Sequence, residues 1–147
     1  MKIARTKSEL ERNINNALID FLQTDFRDFL EETEIKMAYK YVYSYHASEN
    51  AINKRRMENG GLIDRDNMKT QVFKNDNQIL FYNNTQPQGK TKSRYQIAIP
   101  IEEGSEKWNM DKAGPRPFVA ETLRFLEKSN KTYQVFHNYF KNTKKIK

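Results

Sequence analysis

The apolar pattern between Leu10 and Tyr45 constrains this chain more than any other feature. Leu10, Ile14, Leu18, Phe21, Leu22, Phe26, Phe29, Leu30, Met37, Tyr41 and Tyr45 recur at threes and fours, the repeat of a helix with one apolar face. Capping-box spacing occurs twice at its start, in Thr6 with Glu9 and in Ser8 with Glu11. An unbroken helix over 8–46 would be about 58 Å long at 1.5 Å per residue, longer than a compact domain of this size. The pattern therefore predicts either a break near Gln23 to Asp25 or at Thr33, or a long helix projecting into a multi-subunit assembly. Tyr39, Tyr41, Tyr43 and Tyr45 also alternate as a strand would, but the helical repeat upstream favours helix.

The stretch from Ala47 to Gly61 is polar and ends in Asn59-Gly60-Gly61, a strong turn signal. Lys54-Arg55-Arg56 within it suits a solvated helix end. Met68 to Lys74 and Gln78 to Asn83 are β-prone, and Asn75-Asp76-Asn77 between them has hairpin turn chemistry. Val72, Phe73, Ile79 and Phe81 would supply the buried face. A polar, basic loop over Asn83 to Arg94 follows, carrying Lys90, Lys92 and Arg94. Tyr95 to Ile101 alternates as a third strand, which Pro100 confines to an edge or an end. A C-terminal helix runs from about Pro117. Ser129-Asn130 breaks it, with Asn130 capping a short second helix that presents Tyr133, Phe136, Tyr139 and Phe140. Asn142 to Lys147 is a flexible basic tail. These elements predict an α+β fold as a single domain over 1–147. A long N-terminal helix and a C-terminal helix pack on a small antiparallel sheet, a hairpin plus a third strand.

Composition sharpens this. Hydrophobic residues make up 37% of the chain against 31% charged, lean for a self-sufficient globule. A lean core with many aromatics suits a subunit that finishes burying surface against copies of itself. The absence of cysteine excludes disulfides and thiol nucleophiles. No apolar run approaches the roughly 20 residues of a membrane span, and the N-terminus lacks the apolar core of a secretion signal. The expectation is a soluble protein made in the cytoplasm, with no membrane partner. The net charge of +7 favours polyanionic neighbours, nucleic acid among them.

The residues of common catalytic and metal sites occur without their patterns. His46 and His137 have no partner at metal-ligand spacing. Gln88-Gly89-Lys90-Thr91 ends like a phosphate-binding loop, but Asn84 stands where that pattern requires Gly. Asp64, Asp66 and Asn67 lack the terminal Glu of a calcium loop. Glu31, Glu32 and Glu34, like Glu102 and Glu103, fit solvated helix and loop charges better than acid–base pairs. The expectation is a protein that is not an enzyme and needs no cofactor or metal.

A second focus is the stretch from Trp108 to Phe125. Pro115 and Pro117 suit a first helical turn, where backbone donors are orphaned anyway, and Arg116 before Pro117 is pushed towards extended geometry. Phe118 is thereby held just inside a rigidly aimed helix start, where it is expected to be buried and to anchor the C-terminal helix against the apolar face of the hairpin, residues such as Val72 and Phe81. Upstream stand Gly61-Leu62 after the turn and Glu102-Glu103-Gly104. Taken in order with Arg116-Pro117-Phe118, these segments resemble the tail-completion, or head–tail joining, proteins of long-tailed bacteriophages, the gene-product-ten morphogenesis family. The resemblance covers roughly residues 55–128, with Glu58-Asn59-Gly60 where the family usually has Pro-x-x-Thr-Gly. It implies a structural virion component of the neck or tail, assembled in the host cytoplasm. Such a subunit forms a homo-oligomeric ring, a hexamer or a dodecamer. The ring joins the head connector, adaptor or tail terminator to the tail tube, with DNA passing through. Interface candidates are Arg116, Pro117, Phe118, Glu102, Glu103, Lys90, Lys92, Arg94 and Trp108. The alternative from charge alone is a small basic nucleic-acid-binding protein.

Overall fold

The structure, a computed structural model, describes residues 6–44, 60–86 and 117–142. It is a mixed helix-and-strand fold with a two-stranded antiparallel sheet. Helix α1 spans Lys7–Gln23. Thr6 caps it: its extended backbone sets the entry, and its hydroxyl accepts from the Glu9 N–H at 3.2 Å. Ser8 lies inside the helix and is not the cap.

The overlong apolar pattern is interrupted at Thr24, in the first of the two predicted places. Its backbone (φ −119°, ψ −96°) leaves the helical region. Its hydroxyl donates back to the Asp20 carbonyl at 2.7 Å, an alternative to the helical ladder that β-branched hydroxyl residues favour. The Thr24 carbonyl then accepts from the Asp28 N–H at 3.0 Å and starts α2, Asp25–Ala38. Asp25 and Asp28 in that first turn complement the helix dipole. Thr33, the other candidate break, is buried within α2. Tyr39–Tyr43 continues as a π-helical turn, closed by the Ser44 N–H on the Tyr39 carbonyl at 2.9 Å. The alternating tyrosines are thus helical up to Tyr43. Tyr45 and His46 lie outside the described residues.

A short 3-10 turn, Arg65–Asn67, leads into β1, Met68–Phe73; β2 is Gln78–Asn83. The turn between them uses Asn77 at φ 51°, a left-handed position that Asn tolerates. Burial alternates strictly. Met68, Thr70 and Val72 of β1 and Ile79, Phe81 and Asn83 of β2 are the more buried set. Phe73 was expected to join Val72 inside, but period-2 geometry sends adjacent residues to opposite faces. Phe73 is therefore on the exposed face. The predicted third strand, Tyr95 to Ile101, lies outside the described residues.

Helix α3, Phe118–Lys128, and helix α4, Asn130–Asn142, follow. The Pro117 carbonyl accepts from the Glu121 N–H at 2.9 Å. The break between the helices falls where expected, but Ser129 does the capping, accepting from the Lys131 N–H at 3.0 Å. Asn130 is already helical, and a helix's first N–H groups are reached by the residue just before it.

The described residues fall into two compact units. One draws on residues 6–30, 70–81 and 126–142. Its centre is Phe21, whose ring lies 5.2–5.9 Å from those of Phe26, Phe136, Tyr139 and Phe140. Edge and tilted ring pairs of this kind add about 0.5–1.5 kcal/mol each beyond area burial. The Tyr139 hydroxyl donates to Asp20 Oδ2 at 2.5 Å. Burial, reinforced by the Asp20 hydrogen bond and charge, pushes the phenol pKa well above its usual range. Of the four aromatics expected on α4, Tyr133 at 67% and Phe136 at 41% keep exposed surface.

The other unit draws on residues 31–44, 60–69, 82–86 and 117–125. Its apolar centre is Ala38, Val42, Leu62, Ile63 and Phe118, flanked by Ile35, Met37, Tyr41, Tyr43 and Val119. Ala38, at the end of α2, and Val42, within the π turn, both reach this cluster, and Tyr43 packs against it with its hydroxyl accepting from the Leu62 N–H at 3.2 Å.

Candidate functional site

The Gly61-Leu62 segment is the hub of a buried polar network. Gly60 adopts φ 80°, which a side chain would disfavour. Its N–H donates to Asp64 Oδ2 at 2.6 Å, and the Asp66 N–H donates to Asp64 Oδ1 at 2.9 Å. Both Asp64 oxygens therefore hold backbone. Asn67 Nδ2 donates to the Gly61 carbonyl at 3.0 Å, and the single Thr85 hydroxyl proton is shared between that carbonyl, also at 3.0 Å, and Asn83 Oδ1. Asn83 Nδ2 donates to the Leu62 carbonyl and to Glu34 Oε1, each at 2.7 Å. Its Oδ1 accepts from the Thr85 N–H at 3.1 Å and the Thr85 hydroxyl at 2.5 Å. Asn83 thus fills all four of its hydrogen-bonding positions. No buried side-chain polar atom lacks a partner among the described residues.

This network corrects the expectation for the α2 carboxylates. Glu32 is solvated, but Glu34 is 2% exposed and Glu31 is also buried. Burial of a charge needs partners, and the chain supplies them from afar. Glu34 takes Asn83, and Glu31 takes Arg65 at 3.0 Å. Arg65 is half exposed, so that pair contributes about 1 kcal/mol after screening. The signal that could have found this site is the clustering of Asn, Thr and Gly on either side of the hairpin. Such residues satisfy backbone in irregular segments.

Of the two predicted site residues that are described, Pro117 and Phe118, Phe118 is the more buried, at 0% exposure. Its cover comes from Ala38, Val42, Leu62 and Ile63; Val72 and Phe81, which the sequence suggested for this role, belong to the other unit. The reason is that α2 and its π turn already present an apolar face to the Leu62-Ile63 turn. On α3, Glu121 accepts from the Tyr41 hydroxyl at 3.2 Å and pairs with Arg124. Pro117 is half-buried at the helix entry. Lys90, Lys92, Arg94, Glu102, Glu103, Trp108 and Arg116 lie outside the described residues, as do Gly89 and Lys54-Arg55-Arg56.

Large apolar side chains also stay exposed on the helices. Leu10 and Ile14 on α1 are one turn apart, as are Tyr133 and Phe136 on α4, and Leu123 on α3 is 57% exposed. The Tyr133 ring stacks on His137 at 6.0 Å. Among the described residues, no group of three or more His, Cys, Asp or Glu is placed to hold a metal ion. No described helix is long and apolar enough to cross a membrane.

The architecture is an α+β fold with a buried polar hub at a Gly-Gly turn. The YomN family model matches residues 6–142, and the chain belongs to the YomN family. That family is phage-associated, and membership points to a phage origin. No curated protein and no solved structure matches the chain.

Proposed function

We propose that this protein is a structural subunit of a phage or phage-derived tail particle, forming a ring at the neck or tail end. The observation that carries this reading is the set of exposed apolar side chains on helices, Leu10, Ile14, Leu123, Tyr133 and Phe136. A chain lean in hydrophobics leaves such groups wet only at a cost, and head-to-tail contacts around a closed ring would bury them. The phage association of the family supports the setting, and the sequence resemblance to tail-completion proteins supports the role. Partners are then copies of the same chain, the head connector or tail terminator, and the tail tube. Contributions from Arg116, Glu102, Glu103, Lys90, Lys92, Arg94 and Trp108 to that assembly rest on sequence alone.

Light scattering and negative-stain electron microscopy of the purified protein test this. Closed rings whose mass falls in Leu123→Glu or Tyr133→Glu support it. A strict monomer at every concentration, with tail-tube protein present as well as absent, rules it out.

A further inference from the structure

The outer face of the β1–β2 hairpin consists of Lys69, Gln71 and Phe73 on one strand and Gln78, Leu80 and Tyr82 on the other, all exposed. Phe73, Leu80 and Tyr82 keep 40%, 47% and 39% of their surface in water. The hairpin's core-directed apolar residues, Val72, Ile79 and Phe81, are on the opposite face, so burial within the fold does not explain the outer rings. None of the six outer residues is acidic. Asp76 in the turn is the hairpin's only carboxylate, set against Lys69 and Lys74.

Charge decides what fits there. A second copy of this face would bring the same sign and no carboxylate. A polyanion with flat apolar surfaces matches both the lysines and the rings. The strands are equal in length and alternate in step. Phe73 and Tyr82 are therefore about 13 Å apart along the hairpin at about 3.3 Å per residue, too far to cover each other. We propose that this face is a platform for single-stranded nucleic acid. Bases stack on Phe73 and Tyr82 over an apolar floor at Leu80, and Lys69 and Lys74 meet phosphates. The proposal does not rest on ring formation, since the whole platform belongs to one hairpin.

The test is fluorescence anisotropy with a labelled oligothymidylate at low and raised salt. The wild-type protein is expected to bind, more weakly as salt rises. Phe73→Leu and Tyr82→Leu keep an apolar side chain but remove the π face, and each should weaken binding about five-fold or more. Phe73→Tyr and Tyr82→Phe should bind like wild type. Lys69→Gln should flatten the slope of log affinity against log salt by about 0.7. All these positions are exposed, and circular dichroism melts check that the variants fold. Absence of wild-type binding at low salt overturns the proposal, as does wild-type affinity in both leucine variants. So does a leucine-variant loss of self-association with oligonucleotide binding intact, which would make the face a protein contact.

Discussion

Replacing Phe118 by alanine tests the packing of the Leu62–Phe118 unit most directly. The side chain is 0% exposed and surrounded by Ala38, Val42, Leu62 and Ile63. A buried phenylalanine removes roughly 150–250 Å² from water, about 4–6 kcal/mol at about 25 cal/mol per Å². Alanine retains part of that burial, but the neighbours collapse only partly into the space. The net loss is about 3–5 kcal/mol. Two features oppose collapse. Val42 is held by the π turn, and the Leu62 backbone is tied on one side to Tyr43 and on the other to Asn83. In a domain with a total stability of about 5–15 kcal/mol, such a loss is severe. Urea unfolding followed by circular dichroism is the assay. With a slope near 2 kcal/mol per M, the midpoint should fall by about 2 M. Phe118→Leu keeps most of the volume and should cost less than about 1.5 kcal/mol. A Phe118→Ala midpoint within about 0.3 M of wild type, or a leucine variant as unstable as the alanine one, would refute this account of the core.

Asn83→Asp removes the amide donors to Glu34 and the Leu62 carbonyl and sets a carboxylate against a buried one. It should cost about 2–4 kcal/mol at neutral pH and less at pH 5, when one carboxyl can take a proton; equal losses at both pH values would contradict the like-charge argument. Tyr139 has its phenol pKa raised from an ordinary 10.0 by burial and by Asp20. The neutral phenol favours the folded state, so its contribution is fully present below about pH 10 and is lost as pH rises from there through the folded value. Urea midpoints should therefore drop more steeply above pH 10 in wild type than in Tyr139→Phe, and parallel curves would exclude Tyr139 as the cause. Thr6→Ala deletes the α1 cap and should lower stability by about 1 kcal/mol. Amide exchange in the first turn of α1 should rise with it, and unchanged protection there would show that the cap is redundant.

What the sequence determined by itself was local. The helical repeat after Leu10, the choice of Thr6 or Ser8 as its cap, the short set of places where it could break, the Asn-rich hairpin turn and the break at Ser129-Asn130 all depend on neighbours a few residues away. Backbone sterics and short-range hydrogen bonds suffice to narrow them to these positions. Burial of Phe118 was also legible, because a phenylalanine fixed just inside a proline-led helix start has little choice but the core. The tertiary structure alone decided which charges go inside. Glu34 is buried because Asn83, 49 residues away, supplies a donor that replaces water, and no local pattern at Glu34 announces that. It also decided which wall covers Phe118, which of Val72 and Phe73 faces inward, and that the tyrosine run tightens into a π turn. Each of these depends on partners brought together by the fold, since solvation and packing are properties of the surroundings rather than of the residue.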